Sequence, residues 1–167
     1  MLAGIGTAGF DAALRTYGLD RLIGKDRFDV LEGLIEAIVP PGADLESEAA
    51  RSAAFDVIGE IFPEGESYEE LAGIELDRDG VLRALELFIT WYIYNRADPV
   101  IEQRLSRLDT GEAERRNREL VDYIRQLVRL ELGERDPFTV AWDGPEGRGI
   151  IEGLVGDVYR QLEAWDE

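Results

Sequence analysis

The chain has 167 residues, with 36 Asp and Glu against 18 Lys and Arg, no His and no Cys. The missing types exclude a Ser-His-Asp triad, a Cys nucleophile, a disulfide and a Cys- or His-ligated metal. A net charge of −18 opposes binding of a phosphate backbone, and 45% apolar residues suffice for a folded core.

Residues 1–9, MLAGIGTAG, read as a flexible Gly-rich leader, and residues 10–167 as one helical domain. Phe10, Ala13, Leu14 and Tyr17 share a helical face that Gly18 stops. Leu19, Leu22 and Ile23 form a short second piece ended by Gly24. Asp26 is placed to cap a helix with Val30, Leu31, Leu34, Ile35 and Ile38 inward, which Pro40-Pro41-Gly42 ends. Asp44 caps the next, with Leu45, Ala49, Ala53, Val57, Ile58, Ile61 and Phe62 at helical spacing up to Pro63-Glu64-Gly65. Ser67 and Glu70 make a capping box for a short helix to Ile74.

The helix Val81–Asn95 is apolar nearly all round, and so predicts the buried centre of the fold. Leu82, Leu85, Phe88, Ile89, Tyr92 and Ile93 make its main stripe, with Phe88 and Tyr92 expected to be largely buried. Asp98-Pro99 reads as a cap followed by Pro at the first position of a new helix carrying Ile101, Leu105 and Leu108. Asp109-Thr110-Gly111 is a turn before Glu112–Leu132, which buries Leu120, Val121, Ile124, Leu127, Val128 and Leu132 and turns Arg115, Arg118, Arg125 and Arg129 outward or towards acids. Phe138–Trp142 is strand-like and too short to stand alone, which predicts an extended connector packed on the helices. Asp143-Gly144-Pro145 opens the last helix, with Ile150, Ile151, Leu154, Val155, Val158, Leu162 and Trp165 inward. The fold class is all-α: a single-domain bundle of six to eight helices with one short extended connector.

Charge is unevenly placed. Residues 28–79 hold 15 acids against Arg51 and Arg78, a net of −13, whereas residues 96–135 balance nine acids with nine Arg. The acidic stretch is either a solubilising face or a docking face, and Glu46, Glu48, Glu66 and Glu69 are the positions to test. No apolar run is long enough to span a membrane, and the N-terminus lacks a signal-peptide pattern, so the chain reads as cytoplasmic.

Four motifs compete with plainer explanations. Gly4-x-Gly6-x-x-Gly9 lacks the preceding strand and the βαβ pattern of a dinucleotide site. Residues 75–86 resemble a calcium-binding EF-hand loop, with Asp77, Asp79, Gly80 and Glu86 at its third, fifth, sixth and twelfth positions. Glu75 stands where Asp is expected, no second hand follows, and the alternative is an acidic turn that caps the next helix. Thirty-six carboxylates make chance pairs inevitable, so no acid-only catalytic pair is singled out. The aromatics Trp91, Tyr92, Tyr94, Trp142 and Trp165 lack interleaved basic residues, which favours packing over base stacking. No catalytic, cofactor-binding or metal-ligating residue is assigned.

Three segments together, LEGLIEAIVPPGADLESEAARSAAFDVIGEIF (31–62), ITWYIYNR (89–96) and YIRQLVRLELGERDPFTVAWDGPEGRGIIEGLVGDVYRQLE (123–163), resemble the C-terminal helical region of QatB. QatB is a component of the bacterial Qat anti-phage defence systems. The resemblance implies a non-enzymatic protein whose partners are an ATPase and a QueC-like enzyme of the same system. It also implies an N-terminal tail that the QueC-like enzyme modifies. Members of that family start with Met-Gly and a long Gly/Ser/Pro-rich leader, whereas this chain starts Met1-Leu2-Ala3-Gly4. The expectation is that the modified position lies outside this sequence, and no functional residue is carried over. The alternative function is a calcium-responsive helical module built on residues 75–86.

Overall fold

The computed structural model describes residues 10–16, 19–26, 29–30, 33, 45–61, 78–137, 139–140 and 144–166. These residues are helical with turns and contain no strand, so the all-α class holds. Four long helices carry the described fold: α2 (Leu45–Ile61), α3 (Arg78–Leu105), α4 (Thr110–Gly133) and α5 (Pro145–Glu163). A two-turn helix α1 (Phe10–Thr16) and two single 3₁₀ turns, Asp20–Leu22 and Ala164–Asp166, accompany them, and residues 29–30 and 33 are also helical. The expected count of six to eight helices is therefore too high for the described residues. The Leu34–Asp44 helix end, the Pro63–Gly65 stop, the Ser67 capping box and residues 1–9 lie outside them.

The chain divides into two compact units, Met1–Phe88 and Ile89–Glu167. In the first, Leu14 is buried and the amide of Leu19 donates to its carbonyl at 2.8 Å. Gly24 follows the 3₁₀ turn with φ of 76°, a left-handed conformation that a Cβ would strain. Asp26 then caps as its residue type predicts. Its Oδ1 accepts from the amide of Asp29 at 3.0 Å, and its carbonyl from the amide of Val30 at 3.0 Å. Gly33 is buried against Leu22: a Cβ built there would lie 2.5 and 2.8 Å from the two Leu22 methyls. Along α2, Ala49, Ala53, Ala54, Val57 and Ile58 are buried, the small side of the predicted stripe. The first turns of α3 bury Val81, Ala84 and Leu87.

In the second unit α3 continues with Ile89, Thr90, Ile93, Ala97 and Ile101 buried. One sequence expectation is met in part and one fails. Phe88 and Tyr92 lie on α3 mostly covered but not fully buried, as do Leu82 and Leu85. A helix apolar on all sides has no single periodicity, so its neighbours choose the buried face. The break at Asp98-Pro99 is absent, since α3 runs unbroken for 28 residues with Pro99 inside it. Pro99 has no N–H for the carbonyl of Asn95, a loss of about 3 kcal/mol in an exposed helix. Ala97 and Ile101, both fully buried on either side of it, hold the chain helical.

α4 and α5 follow the sequence closely. Asp109 caps α4, its Oδ1 accepting from the amide of Glu112 at 3.0 Å. The buried positions Leu120, Ile124, Val128 and Leu132 recur every four residues. Val121 and Leu127 flank that stripe half-buried. Pro145 occupies the first position of α5, which buries Ile150, Leu154, Val155, Val158 and Leu162. Between the two helices the described residues Thr139 and Val140 lie in a turn and a bend. The amide of Thr139 donates to the carbonyl of Asp136 at 3.0 Å, its Oγ1 does so at 2.8 Å, and Val140 is buried. Phe138 and 141–143, the rest of the expected connector, lie outside the described residues.

Candidate interaction surface

α2 places its two sides by spacing alone. Opposite the buried alanines, Glu48, Ser52, Phe55, Asp56, Gly59 and Glu60 recur at i, i+4, i+7, i+8, i+11 and i+12, and all are exposed. Phe55 is 59% exposed. It is flanked by Ser52 three residues before and by Gly59 four residues after, where a Cβ would meet nothing within 4 Å. Arg51, four residues before it on the same row, is its one large neighbour there. The one ion pair to Glu60 among the described residues is loose: Arg83 stands 3.8 Å away, and its side chain is 76% exposed. Of the acidic positions singled out in the sequence, Glu46 and Glu48 are exposed on α2. Glu66 and Glu69 lie outside the described residues. Composition pointed to the acids and passed over Phe55. Its signal was its phase, off the stripe formed by Ala53, Val57 and Ile58.

The calcium-loop pattern takes another form. Residues 78–86 are α-helix from the first turn of α3, and 75–77 lie outside the described residues. Asp79 and Glu86 are seven residues apart on this helix, about 10 Å along its axis, so this part cannot wrap an ion between them. Asp79 sits in the first turn, where a carboxylate complements the helix dipole. Among the described residues no three acids come together as a metal site. Gly4, Gly6, Gly9 and Trp142 lie outside them.

The second unit carries the aromatic and Arg-rich chemistry. The Tyr94 hydroxyl donates to Asn117 Oδ1 at 2.7 Å, and its ring meets Trp91 edge to face with centroids 5.7 Å apart. Burial raises the Tyr94 pKa, and the negative charges of Asp98 and Glu102 push it up further. The Arg116 guanidinium lies 5.7 Å from the Trp165 ring centroid. The aromatics thus pack and find polar partners, as expected, though half-buried rather than central. On α4, Glu112 accepts from Arg115 and from Arg116 Nε, the latter at 3.1 Å, and these bonds hold its carboxyl below the usual range. A solvent-open cleft of about 370 Å³ is lined by Glu131, Arg135, Glu146, Gly149, Gly153 and Asp157, among others. Arg135 is paired with Glu131 and stands 3.9 Å from Glu146, so its charge is already met.

The described molecule is thus an all-helical, strongly acidic protein with its chemistry displayed on outer helix faces. No helix among the described residues is long and apolar enough to cross a membrane. The family model described as Qat anti-phage system associated protein QatB matches residues 1–162. The chain belongs to the QatB family, and its role lies in an anti-phage defence system. No curated protein and no solved structure matches it.

Proposed function

We propose that this chain is a non-catalytic protein-interaction component of a Qat defence complex. It docks the other proteins of its system and presents an N-terminal tail to a QueC-like enzyme. Membership of QatB across residues 1–162 carries the reading, because the family is defined by a multi-component system. The composition supports it: without His or Cys the commonest general base and the commonest thiol chemistry are missing. The outward acidic face of α2 supports it too, since complementary charge steers and orients association.

The test is co-expression of the full chain with the proteins encoded beside it. The expected result is a stable complex containing the QueC-like enzyme or the ATPase, with no hydrolytic turnover by the purified chain. Isolation of the chain alone at both low and high salt, together with its own hydrolase activity, would overturn the reading.

A further inference from the structure

This inference rests on the docking role just proposed and names its surface and partner. We propose that the outward face of α2 binds a basic segment of a Qat partner protein, with Phe55 as its apolar anchor.

The helix is two-sided in a way that isolates this face. Ala49, Ala53, Ala54, Val57 and Ile58 bury one side, and small side chains allow their neighbours to approach closely. The other side carries Glu48, Asp56 and Glu60 beside the Phe55 ring, which is 59% exposed. A lone surface apolar residue needs no explanation, but this one lies beside the row of Glu48, Ser52, Asp56 and Glu60, with Arg51 the one cation on its own row. Interface centres are enriched in aromatic anchors, with charged groups at the rim setting partner choice and rate of encounter. The complementary surface is therefore an apolar recess flanked by Lys or Arg. The chain's net charge of −18 disfavours a second copy of itself as the occupant and favours a basic partner.

The experiment uses the full chain and the purified co-encoded proteins of its Qat system as probes, with affinity and association rate measured at low and high salt. Phe55→Gln removes the ring and keeps a good helix former. A triple reversal, Glu48→Lys with Asp56→Lys and Glu60→Lys, inverts the rim. Leu130→Gln, at another strongly exposed apolar position (64% exposed, on α4), is the control. Helix content by circular dichroism confirms that each variant is folded.

The expected result is that Phe55→Gln weakens the complex about tenfold or more. The triple reversal should slow association and remove its salt dependence, and Leu130→Gln should match the unsubstituted chain. Equal binding by all four proteins overturns the α2 surface and leaves the docking role standing. Binding to none of the co-encoded proteins overturns the docking role and this surface with it. Self-association that Phe55→Gln abolishes makes a second copy the occupant and overturns the basic partner.

Discussion

Gly33 sets two familiar effects against each other, and the structure decides between them. Replacing a helical glycine by alanine normally stabilises, by about 1 kcal/mol, because the glycine chain has more freedom to lose. At Gly33 the new methyl would lie 2.5 and 2.8 Å from Leu22 Cδ2 and Cδ1, and 3.2 Å from Cγ. Carbon atoms rest at about 3.5–4.0 Å, so one side must move by roughly 1 Å. Leu22 is 3% exposed, so its methyls must shift within a covered site rather than into solvent. Overpacking of this kind costs about 1–3 kcal/mol, so Gly33→Ala should be net destabilising by about 1 kcal/mol. Gly59→Ala, exposed with nothing within 4 Å of the new methyl, should instead stabilise by about 0.5–1 kcal/mol. Urea unfolding followed by circular dichroism measures both. Leu22→Ala alone should cost about 2–5 kcal/mol. In that background Gly33→Ala has room and should become stabilising, a coupling of about 1 kcal/mol or more. If Gly33→Ala raises the unfolding midpoint as Gly59→Ala does, or if Leu22→Ala leaves its sign unchanged, the close approach is not what requires glycine.

Ile124 is fully buried in the four-residue stripe of α4, and Ile124→Ala should cost about 2–5 kcal/mol in the same urea assay. Phe88→Ala should fall below the roughly 3–5 kcal/mol of a fully buried phenylalanine, because Phe88 is mostly covered but not fully buried. Tyr94 has a raised pKa in the folded state, so the stability it contributes is complete below its unfolded value, near 10, and declines as pH rises through the folded one. Tyr94→Phe should flatten that alkaline decline in a pH series of unfolding midpoints; an unchanged slope would assign it to other groups.

Short-range chemistry was readable in the residues themselves. Asp26 caps because a carboxylate before a helix accepts the orphan amides, at 3.0 Å; Asp109 does the same at 3.0 Å, so the expected turn at Asp109-Thr110-Gly111 is instead the cap and first residues of α4. Gly24 takes the positive φ that its position after Leu22-Ile23 suggested. The stripes of α4 and α5 were legible because each helix has a polar side to contrast with, and Leu120, Ile124, Val158 and Leu162 fell where their spacing put them. The acidic character of the α2 surface followed from counting.

Tertiary structure decided what has no local signature. Asp98-Pro99 looks the same at a helix start and inside a helix that its neighbours hold straight; burial of Ala97 and Ile101 settled it. α3 offered apolar residues on every side, so the choice of Ile89, Ile93 and Ala97 over Phe88 and Tyr92 belonged to the surfaces packed around it. The same holds for the pattern at 75–86: ligand-type residues at loop spacing became helix from Arg78 onward, because a helix satisfies every interior amide and carbonyl, and an empty loop does not. Spacing along a chain records which side chains can share a face, and only the packed neighbours determine which face is buried.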